Sequence, residues 1–272
     1  MSSGGLLPTT MVEKVWGRTS LPAPFAAPDG KRIGEIWFDP APPCEGLLAK
    51  YLFTSEKLSV QVHPSDADAP AGMRGKEECW LVLDADEDAR LAIGFKEPID
   101  TETMRVAALD GSIEHMLDWH SAKRGDFFYL PAGTVHAIGP GLSLVEIQQN
   151  SDITYRLFDY GRPRDLHLDR ALAVAEGAPH DPALRRVINL EQTAELVDGP
   201  HFQLDYIVGV PTDDLLARYD GASLVMPLEG AVKAEGTEIA AGECGIVCTL
   251  AEAVFSDQGA TLIAQSLNLP PE

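Results

Sequence analysis

Short strand-like runs, separated by turns that contain Gly or Pro, recur along most of the chain and restrict the folds open to it. They form two blocks, at about 31–160 and 185–270, and a helical segment over Asp165–Gly177 lies between the blocks. A parallel βαβ sheet would need a helix between successive strands. Many short strands with such turns are instead typical of β-barrels and β-sandwiches. The sequence therefore predicts a mainly β protein with a few short helices.

Charge and hydropathy exclude several classes of partner. The 272 residues include 42 acidic and 21 basic side chains, which give a formal net charge of −21. Such a surface repels polyphosphate backbones, which argues against a nucleic-acid partner. No window approaches the ~20 apolar residues that span a bilayer, and the first residues lack the pattern of a secretory signal. We therefore expect a cytoplasmic protein without a membrane partner; the sequence indicates no oligomeric state.

The stretch Val60–Trp80 places three potential metal ligands around a polar loop. Gln61 and His63 are two residues apart on a predicted strand, so their side chains point to the same face. Pro64 ends that strand because it has no amide donor, and Glu78 begins the next apolar run. Imidazole nitrogen, amide oxygen and carboxylate oxygen all bind divalent metals. The stretch therefore predicts one side of a metal site.

A second stretch, Gly125–His136, supplies a fourth ligand. An apolar strand is followed by a Pro-Ala-Gly turn, and His136 comes just after that turn. With Gln61, His63 and Glu78 it completes a set of two nitrogen and two oxygen donors. A single histidine is more often structural, but four donors in this arrangement favour metal binding. Because most of these ligands are neutral, a bound zinc-type ion would remain a strong Lewis acid.

Several segments carry a specific resemblance to a known family. Gly125, Pro131, Gly133 and His136 fit the second signature of cupins. The wider set resembles type I mannose-6-phosphate isomerases in their short bacterial form, over about residues 12–175. The matching segments are KVWG at 14–17, IGEIW at 33–37, LSVQVHPSD at 58–66, GKEECW at 75–80, GDFFYLPAGTVHAI at 125–138 and QQNSDITYRLFDYGR at 148–162.

The resemblance implies two cupin-like jelly-roll barrels. We expect a metal-binding catalytic domain over 1–164, a helical connector over 165–184 and a second cupin-like domain over 185–272. The stretch Gly242–Val247 resembles the strand opening at Gly125, but the position equivalent to His136 is Ala253. The second barrel is therefore expected to be degenerate, without a metal site.

The resemblance also implies roles for individual residues. Gln61, His63, Glu78 and His136 match the family's zinc ligands. Ser59 and Lys76 match positions that hold the sugar phosphate, Arg156 matches the arginine needed for turnover, and Asp152 matches an acid/base candidate. Trp16 is a further candidate for lining the sugar pocket, with packing as the alternative. Two residues depart from the pattern: Glu77 stands where a hydroxyl residue is common, and Arg18 where a second glycine often follows.

The expected reaction is the zinc-assisted interconversion of mannose 6-phosphate and fructose 6-phosphate through an enediol(ate). It needs a cation to stabilise the oxyanion and a base to move the proton. Asp152, Lys76 and a metal-bound water are alternative bases. Two other functions stay open: a cupin isomerase or epimerase for another sugar, and a catalytically silent sugar-binding cupin. For Arg156 the alternative role is a structural pair with Asp152 or Asp159.

Three local expectations concern secondary structure. Residues 1–13 carry no pattern and are expected to form a loose arm. The run Ala89–Phe95 is expected to pair with Glu78–Asp84, and a short helix is expected over Ile113–Trp119. The loop from Ser65 to Gly75 is a candidate lid that places Lys76 over the metal.

Overall fold

Strands account for most of the computed structural model, which describes residues 4–267. In the first part of the chain the strands are β1 (Gly5–Leu6), β2 (Thr9–Arg18), β3 (Ile33–Phe38), β4 (Leu47–Phe53), β5 (Val60–Val62), β6 (Glu78–Ala85), β7 (Arg90–Phe95), β8 (Leu117–Ser121), β9 (Asp126–Leu130), β10 (His136–Ile138), β11 (Leu142–Gln149) and β12 (Tyr155–Phe158).

The second part of the chain is also built mainly from strands. They are β13 (Arg185–Val187), β14 (Ala194–Asp198), β15 (Phe202–Val208), β16 (Ser223–Glu229), β17 (Ala231–Ala234), β18 (Thr237–Ala240), β19 (Gly245–Val247), β20 (Val254–Phe255) and β21 (Ala260–Ser266). The helices are α1 (Thr101–Asp110), α2 (Ile113–Met116), α3 (Leu168–Val174) and α4 (Asp213–Leu216), with 3₁₀ turns at Pro182–Leu184 and Leu250–Glu252.

Two antiparallel sheets of the first part enclose a core. One has seven strands in the order β13-β9-β6-β11-β4-β3-β2, and the other has five in the order β12-β5-β10-β7-β8. Trp80 and Leu144 from the first sheet pack in one cluster with Leu91, Ile93 and Ile138 from the second. Sheets that face each other across such a core form the walls of a barrel or sandwich.

The central strands of the seven-stranded sheet are buried on both faces. Every residue of β11 is buried, and its side chains alternate between two cores because a strand has a period of two. Leu144 faces the interior between the two sheets, whereas Val145 and Ile147 face the second part of the chain. The same alternation turns Lys50, Glu78 and Glu146 toward the interior. Charged side chains thus enter the barrel from strands that are otherwise apolar.

The second part adds a six-stranded sheet, β1-β19-β16-β21-β15-β14, and a three-stranded sheet, β18-β17-β20. Val225 and Ile263 of the larger sheet share a core with Val232 and Phe255 of the smaller. The opposite face of the six-stranded sheet packs on the seven-stranded sheet, and Leu262 belongs to that contact. The two β units therefore lie back to back, which agrees with the predicted mainly β class.

Helices cover the outer face of the five-stranded sheet. Met104 and Ala107 of α1 and Leu172 of α3 pack against Val62 and Phe95. Asp100 caps α1 by accepting a hydrogen bond from the Thr103 amide, and Gly111 ends it in the left-handed conformation with φ of 83°. None of the helices within residues 4–267 has the length and apolar content needed to cross a membrane.

The N-terminal segment is not a loose arm. Residues 5–6 form β1 on the sheet of the second part, with Gly5 opposite Ile246, and β2 pairs with β3 from Thr9 onward. Leu7 is buried, and its amide donates to the Cys244 carbonyl at 2.9 Å. One apolar side chain and backbone pairing thus fix the segment; residues 1–3 lie outside the described residues. Strands β1 and β13 each pair with a sheet of the other part, so the sheets do not divide the chain at one position. The predicted domain boundaries therefore stay a prediction.

Two other local expectations were wrong. Strand β6 pairs with β9 and β11, whereas β7 pairs with β8 and β10 in the opposite sheet. The chain crosses from one sheet to the other between β6 and β7, so that both strands can bury side chains in the shared core. The predicted helix over Ile113–Trp119 ends at Met116, and Leu117–Ser121 is strand β8.

Candidate metal centre and substrate pocket

Neighbouring strands bring the four predicted metal ligands together. Gln61 on β5 lies directly opposite His136 on β10, and directly opposite residues of an antiparallel pair share a face. His63 follows β5 by one residue, and Glu78 is the first residue of β6 in the facing sheet. The cluster of His63, Glu78, His136 and Gln61, called the metal cluster below, therefore joins both sheets.

The donor atoms of the metal cluster are close enough to share one ion. The ligand atoms of His63, Glu78 and His136 all lie within 4.8 Å of one another. Glu78 Oε2 is 3.6 Å from His63 Nε2, and Glu78 Oε1 is 3.4 Å from His136 Nε2. The amide nitrogen of Gln61 is 3.2 Å from His136 Nε2. Among residues 4–267 this is the single such group of histidine, cysteine and carboxylate side chains.

Both histidines are held in the tautomer that a metal needs. His63 Nδ1 is 2.6 Å from the Ile153 carbonyl oxygen, and His136 Nδ1 is 2.9 Å from that of Thr134. A carbonyl only accepts, so each Nδ1 carries the proton and each Nε2 keeps its lone pair toward Glu78. Burial lowers the pKa of His136 to about 4 and that of His63 well below its usual value. Both imidazoles are therefore neutral ligands at neutral pH.

Glu78 has a buried oxygen that the described protein atoms leave unsatisfied. Its Oε1 has no hydrogen-bond partner, and its side chain is only 1% exposed. Burial raises the pKa of Glu78 to about 7, and the nearby Glu146 carboxylate adds to that effect. An orphaned buried carboxylate oxygen is costly. A divalent cation between Glu78 and the two histidines would remove this cost, so the donors fit a metal.

The Lys76 ammonium already lies against these donors. Its Nζ is 3.0 Å from His63 Nε2 and donates to Glu78 Oε2. The Lys76 side chain is only 5% exposed, so its ammonium group is buried. Burial by itself lowers the pKa of Lys76, but the Glu78 and Glu146 carboxylates outweigh it and raise the pKa. The cluster therefore attracts positive charge, and Lys76 provides one such charge beside it.

A second buried ion pair lies next to the metal cluster. Lys50 Nζ donates to Glu146 Oε1 at 2.9 Å and to Gln148 Oε1, and Trp80 Nε1 donates to Glu146 Oε2 at 3.0 Å. Burial alone would raise the pKa of Glu146, but the ammonium groups of Lys50 and Lys76 lower it to about 2. Sequence reasoning missed Lys50 and Glu146. The available signal was a charged residue at an inward position of an apolar strand.

A cavity of about 220 Å³ opens beside the metal cluster. The predicted residues that line it are Trp16, Ser59, Gln61, Lys76, Asp152 and Arg156. Lys14, Trp37, Lys50 and Arg164 line it as well and were not predicted. His63, Glu78 and His136 do not line the cavity but contact Gln61 or Lys76, which do. The cavity thus combines five cationic side chains and two tryptophans with the carboxylates of Glu35, Glu146 and Asp152, in a protein of strongly negative charge.

Ser59 fixes the orientation of Gln61. Its hydroxyl donates to Gln61 Oε1 at 3.0 Å, while the Gln61 amide nitrogen faces His136. A rotation of the amide by 180° would turn its oxygen to the metal cluster, and the Ser59 hydroxyl can then accept from the nitrogen. Gln61 is therefore able to serve as an oxygen ligand without loss of its contact with Ser59.

Arg156 reaches the cavity from β12, where it lies opposite Gln61. It is half-buried, and its NH1 donates to the Asp165 carbonyl at 3.3 Å. Asp159 instead accepts from Arg162 and, through two hydrogen bonds of 2.6 and 2.7 Å, from Arg164. Among the described residues no ion pair joins Arg156 to an acidic side chain. The alternative role of Arg156, a structural ion pair with Asp152 or Asp159, is therefore not found among the described residues.

Glu35 holds the wall of the cavity and does not contact the metal cluster. It accepts from Lys14 Nζ at 3.0 Å and from Trp37 Nε1 at 2.8 Å. The Lys50 ammonium lies 4.8 Å from the Trp37 ring centre, within cation–π range. These contacts order one aromatic and two cationic side chains in the wall of the cavity.

Comparisons with known proteins place this site in context. No family model matches the chain. The mannose-6-phosphate isomerase of Streptococcus mutans is 42% identical over 167 residues, which cover 57% of this chain and 52% of that protein. The chain thus spans about half the length of the curated relatives it matches. The alignment nevertheless confirms the resemblance that the motifs predicted.

Solved structures match over nearly the whole chain. The mannose 6-phosphate isomerase of Bacillus subtilis superposes with a TM-score of 0.78 at 26% identity, over 97% of this chain and all of that one. A zinc-bound mannose 6-phosphate isomerase superposes with a TM-score of 0.69 at 14% identity, over 97% of this chain and all of that one. The predicted fold of two cupin-like barrels with a few short helices is therefore confirmed.

Proposed function

We propose that this protein interconverts mannose 6-phosphate and fructose 6-phosphate, with zinc held by Gln61, His63, Glu78 and His136. The observation that carries the proposal is the buried metal cluster beside a cation-lined cavity. The relatives named mannose-6-phosphate isomerase and the zinc-bound neighbour support the substrate and the metal. Only one of the four donors is anionic, so a bound zinc ion would supply Lewis acidity for an oxyanion.

The reaction moves hydrogen without changing the formula of the sugar. A proton leaves C2 of the aldose and is returned to C1, and a hydroxyl proton passes from O2 to O1. The intermediate enediol(ate) needs a nearby cation for its oxygen and a group that carries the carbon-bound proton. The cavity contains side chains for both needs, since Arg156 and Lys76 are cations and Asp152 is a carboxylate.

Asp152 and Lys76 are the proposed proton carriers. Asp152 lines the cavity from the segment before β12 and is exposed, so its carboxylate is free to approach a sugar carbon. Lys76 is buried and contacts Glu78, so proton transfer by this lysine would have to occur at the edge of the metal cluster. Arg156 is proposed to stabilise the oxyanion, because its guanidinium has no carboxylate partner among the described residues.

The sugar phosphate is proposed to lie at the cationic rim of the cavity. Ser59 offers a hydroxyl, and Arg164 offers a guanidinium group, which can bind phosphate with directed hydrogen bonds while it also contacts Asp159. Lys76, which was predicted for this role, is engaged with His63 and Glu78. We therefore propose that Lys76 contributes charge to phosphate binding, while Ser59 and Arg164 make the direct contacts and Arg156 serves the oxyanion.

A coupled assay tests the function. Purified protein loaded with zinc is given mannose 6-phosphate, and fructose 6-phosphate is measured; His63→Ala is the matched inactive variant. The proposal predicts turnover that the variant loses, and exchange of the C2 hydrogen with D₂O. Absence of turnover, or equal turnover by His63→Ala, would contradict it. Binding without exchange would indicate a silent sugar-binding cupin, and turnover of another sugar in a panel would indicate a different isomerase or epimerase.

A further inference from the structure

The loop between His63 and Glu78, residues 64–77 and called loop 64–77 below, is held from the second part of the chain. It carries Lys76 and ends where Glu78 begins β6. Two of its carboxylates, those of Asp66 and Glu77, face the same side chain. His201 Nδ1 is 3.7 Å from Asp66 Oδ2, and His201 Nε2 is 3.5 Å from Glu77 Oε1. The Gln149 amide nitrogen, which also contacts Asp66, donates to His201 Nδ1 at 3.3 Å, so Nδ1 accepts and the Nε2 proton faces Glu77. The imidazole is thus next to Glu77 directly and is linked to Asp66 through Gln149.

The Asp66 end of the loop is closed by hydrogen bonds. Asp66 accepts from Arg74 Nε and NH2 at 3.0 and 3.1 Å, and from the Gly75 amide at 2.7 Å. The Gln149 amide nitrogen donates to both Asp66 oxygens at 3.2 Å. Hydrogen bonds from Arg74, together with that of Gly75, lower the pKa of Asp66 to about 2. This carboxylate is therefore ionised and ties the start of the loop to its end.

The Glu77 end adjoins the residues of the proposed reaction. Glu77 lies between Lys76 and Glu78, and alternate residues of an extended chain point to opposite sides. Its carboxylate consequently faces away from the metal cluster and accepts from the Tyr129 hydroxyl. Its backbone is held on both sides by Gln149, through bonds of 2.9 and 3.0 Å. A shift of Glu77 would therefore move its two neighbours.

His201 is itself fixed by the second part of the chain. It lies in the turn between β14 and β15, its side chain is 17% exposed, and its carbonyl accepts from the Leu267 amide at 2.9 Å. The same turn approaches Tyr129 closely, because a Cβ added at Gly199 would lie 3.2 Å from the Tyr129 hydroxyl. The histidine is thus presented to loop 64–77 by the second β unit.

We propose that His201 is a positioning residue for the metal cluster: together with Gln149 it holds Asp66 and Glu77 in place and so sets where Lys76 and Glu78 stand. The proposal rests on the proposed function in taking His63, Glu78 and His136 as a metal site. It assigns a task to the second β unit, which has no metal cluster of its own within the described residues. Glu77, which departs from the family pattern, becomes the partner that His201 needs.

Metal affinity tests the proposal independently of turnover. Co²⁺ and Zn²⁺ binding are measured on the full chain by titration, with the visible absorption of Co²⁺ as a signature of ligand geometry. His201→Ala is expected to weaken both metals about 10-fold, the lower end of effects seen when a ligand's supporting contacts are removed. It is also expected to alter the Co²⁺ spectrum and to lower kcat more than it changes KM. His201→Gln, which keeps a donor and an acceptor, is expected to recover most of the affinity.

Two further variants make the result decisive. His115→Ala removes an exposed histidine on α2 and is expected to bind metal like the parent protein. Glu77→Gln is expected to weaken metal binding as His201→Ala does, and the double variant is expected to be no weaker than either single one. Unchanged Co²⁺ affinity and spectrum in His201→Ala or, if that variant does not fold, in Glu77→Gln would overturn the proposal. Metal binding without sugar turnover would refute the proposed function but would not contradict the proposed role of His201.

Discussion

At the scale of single residues, the site depends on which imidazole nitrogen carries a proton. The backbone carbonyls of Ile153 and Thr134 accept hydrogen bonds from the protonated Nδ1 atoms of His63 and His136, respectively. The sequence could predict the two histidines, because a strand places Gln61 and His63 on one face and the turn before His136 has a distinctive pattern. It could not predict the carbonyl partners, because they come from loops whose paths depend on the complete fold.

Removal of a metal ligand gives the first residue-scale prediction. His136→Ala is expected to weaken zinc binding by at least ~100-fold, more than the loss of a supporting contact costs. It also removes a buried ring that packs 5.3 Å from Trp80, so some loss of stability is expected. Zinc content after dialysis and the melting temperature are the measurements. Full zinc retention by a folded His136→Ala protein would show that this histidine is not a ligand.

Arg156 gives a second residue-scale prediction. Arg156→Ala is expected to lower kcat/KM by roughly 100-fold or more, the size typical of losing one oxyanion-stabilising donor. Zinc content and melting temperature are expected to stay close to those of the parent, because this side chain makes no ion pair among the described residues. Arg170→Ala, at an exposed position on α3, is the matched control. Equal activity of the two variants would remove Arg156 from the mechanism.

At the scale of elements, β4, β6 and β11 explain why part of the site was missed. These strands are buried on both faces over most of their length. In β11 polar residues such as Ser143 and Gln148 are mixed with apolar ones, so the sequence pattern does not show which face a charged residue lies on. Only knowledge that two cores flank the sheet shows that Lys50 and Glu146 point inward. The predicted pairing of β7 with β6 was wrong for a related reason. Neighbours in sequence often pair, but here the connection crosses to the opposite sheet, and a strand pattern does not reveal such a crossing.

The ion pair between β4 and β11 gives an element-scale prediction. Lys50 is directly opposite Glu146, and both side chains are 5% exposed. Lys50→Met is expected to destabilise the fold by ~3–5 kcal/mol, because Glu146 would be left as a buried charge with less compensation. Chemical denaturation measures this loss. The double variant Lys50→Met with Glu146→Gln should recover part of it, and a Lys50→Met protein as stable as the parent would refute the account.

At the scale of the whole molecule, the sequence predicted the fold class because motif order and strand density are properties of long stretches. The back-to-back packing of the two β units was harder to predict from the sequence. Besides the shared apolar core it involves β1 and β13, two short strands of two and three residues, each of which pairs with the sheet of the other unit. Strands this short carry too few residues for a recognisable pattern. The predicted domain boundaries therefore stay a prediction.

Global stability is expected to fall as the pH is lowered from about 6.5 to 4. Burial lowers the pKa of five histidines, those at 63, 120, 136, 167 and 180. Between the folded and unfolded values the unfolded chain binds more protons, so protonation favours unfolding. Burial raises the pKa of Glu78 to about 7 and also raises that of Asp205, so these two carboxyl groups oppose the trend. The five histidines outnumber them, so the net effect is destabilisation by acid.

A variant isolates one histidine in this trend. The pKa of His136 is about 4 in the folded protein against 6.5 in the unfolded chain. Its contribution to the loss in the free energy of unfolding between these two pH values is therefore about 3 kcal/mol. Chelator-treated parent and His136→Asn proteins are compared by urea denaturation at pH 4.5 and 7. The parent should lose more stability than the variant. Equal losses in both proteins would contradict the buried neutral state of His136.

The most direct test of the central claim is a zinc titration of metal-free protein, followed by the rate of fructose 6-phosphate formation from mannose 6-phosphate. The proposed metal cluster predicts that the rate rises in proportion to bound zinc and levels off at one ion per chain. Full activity in the metal-free protein, or no activity once zinc is bound, would contradict the claim.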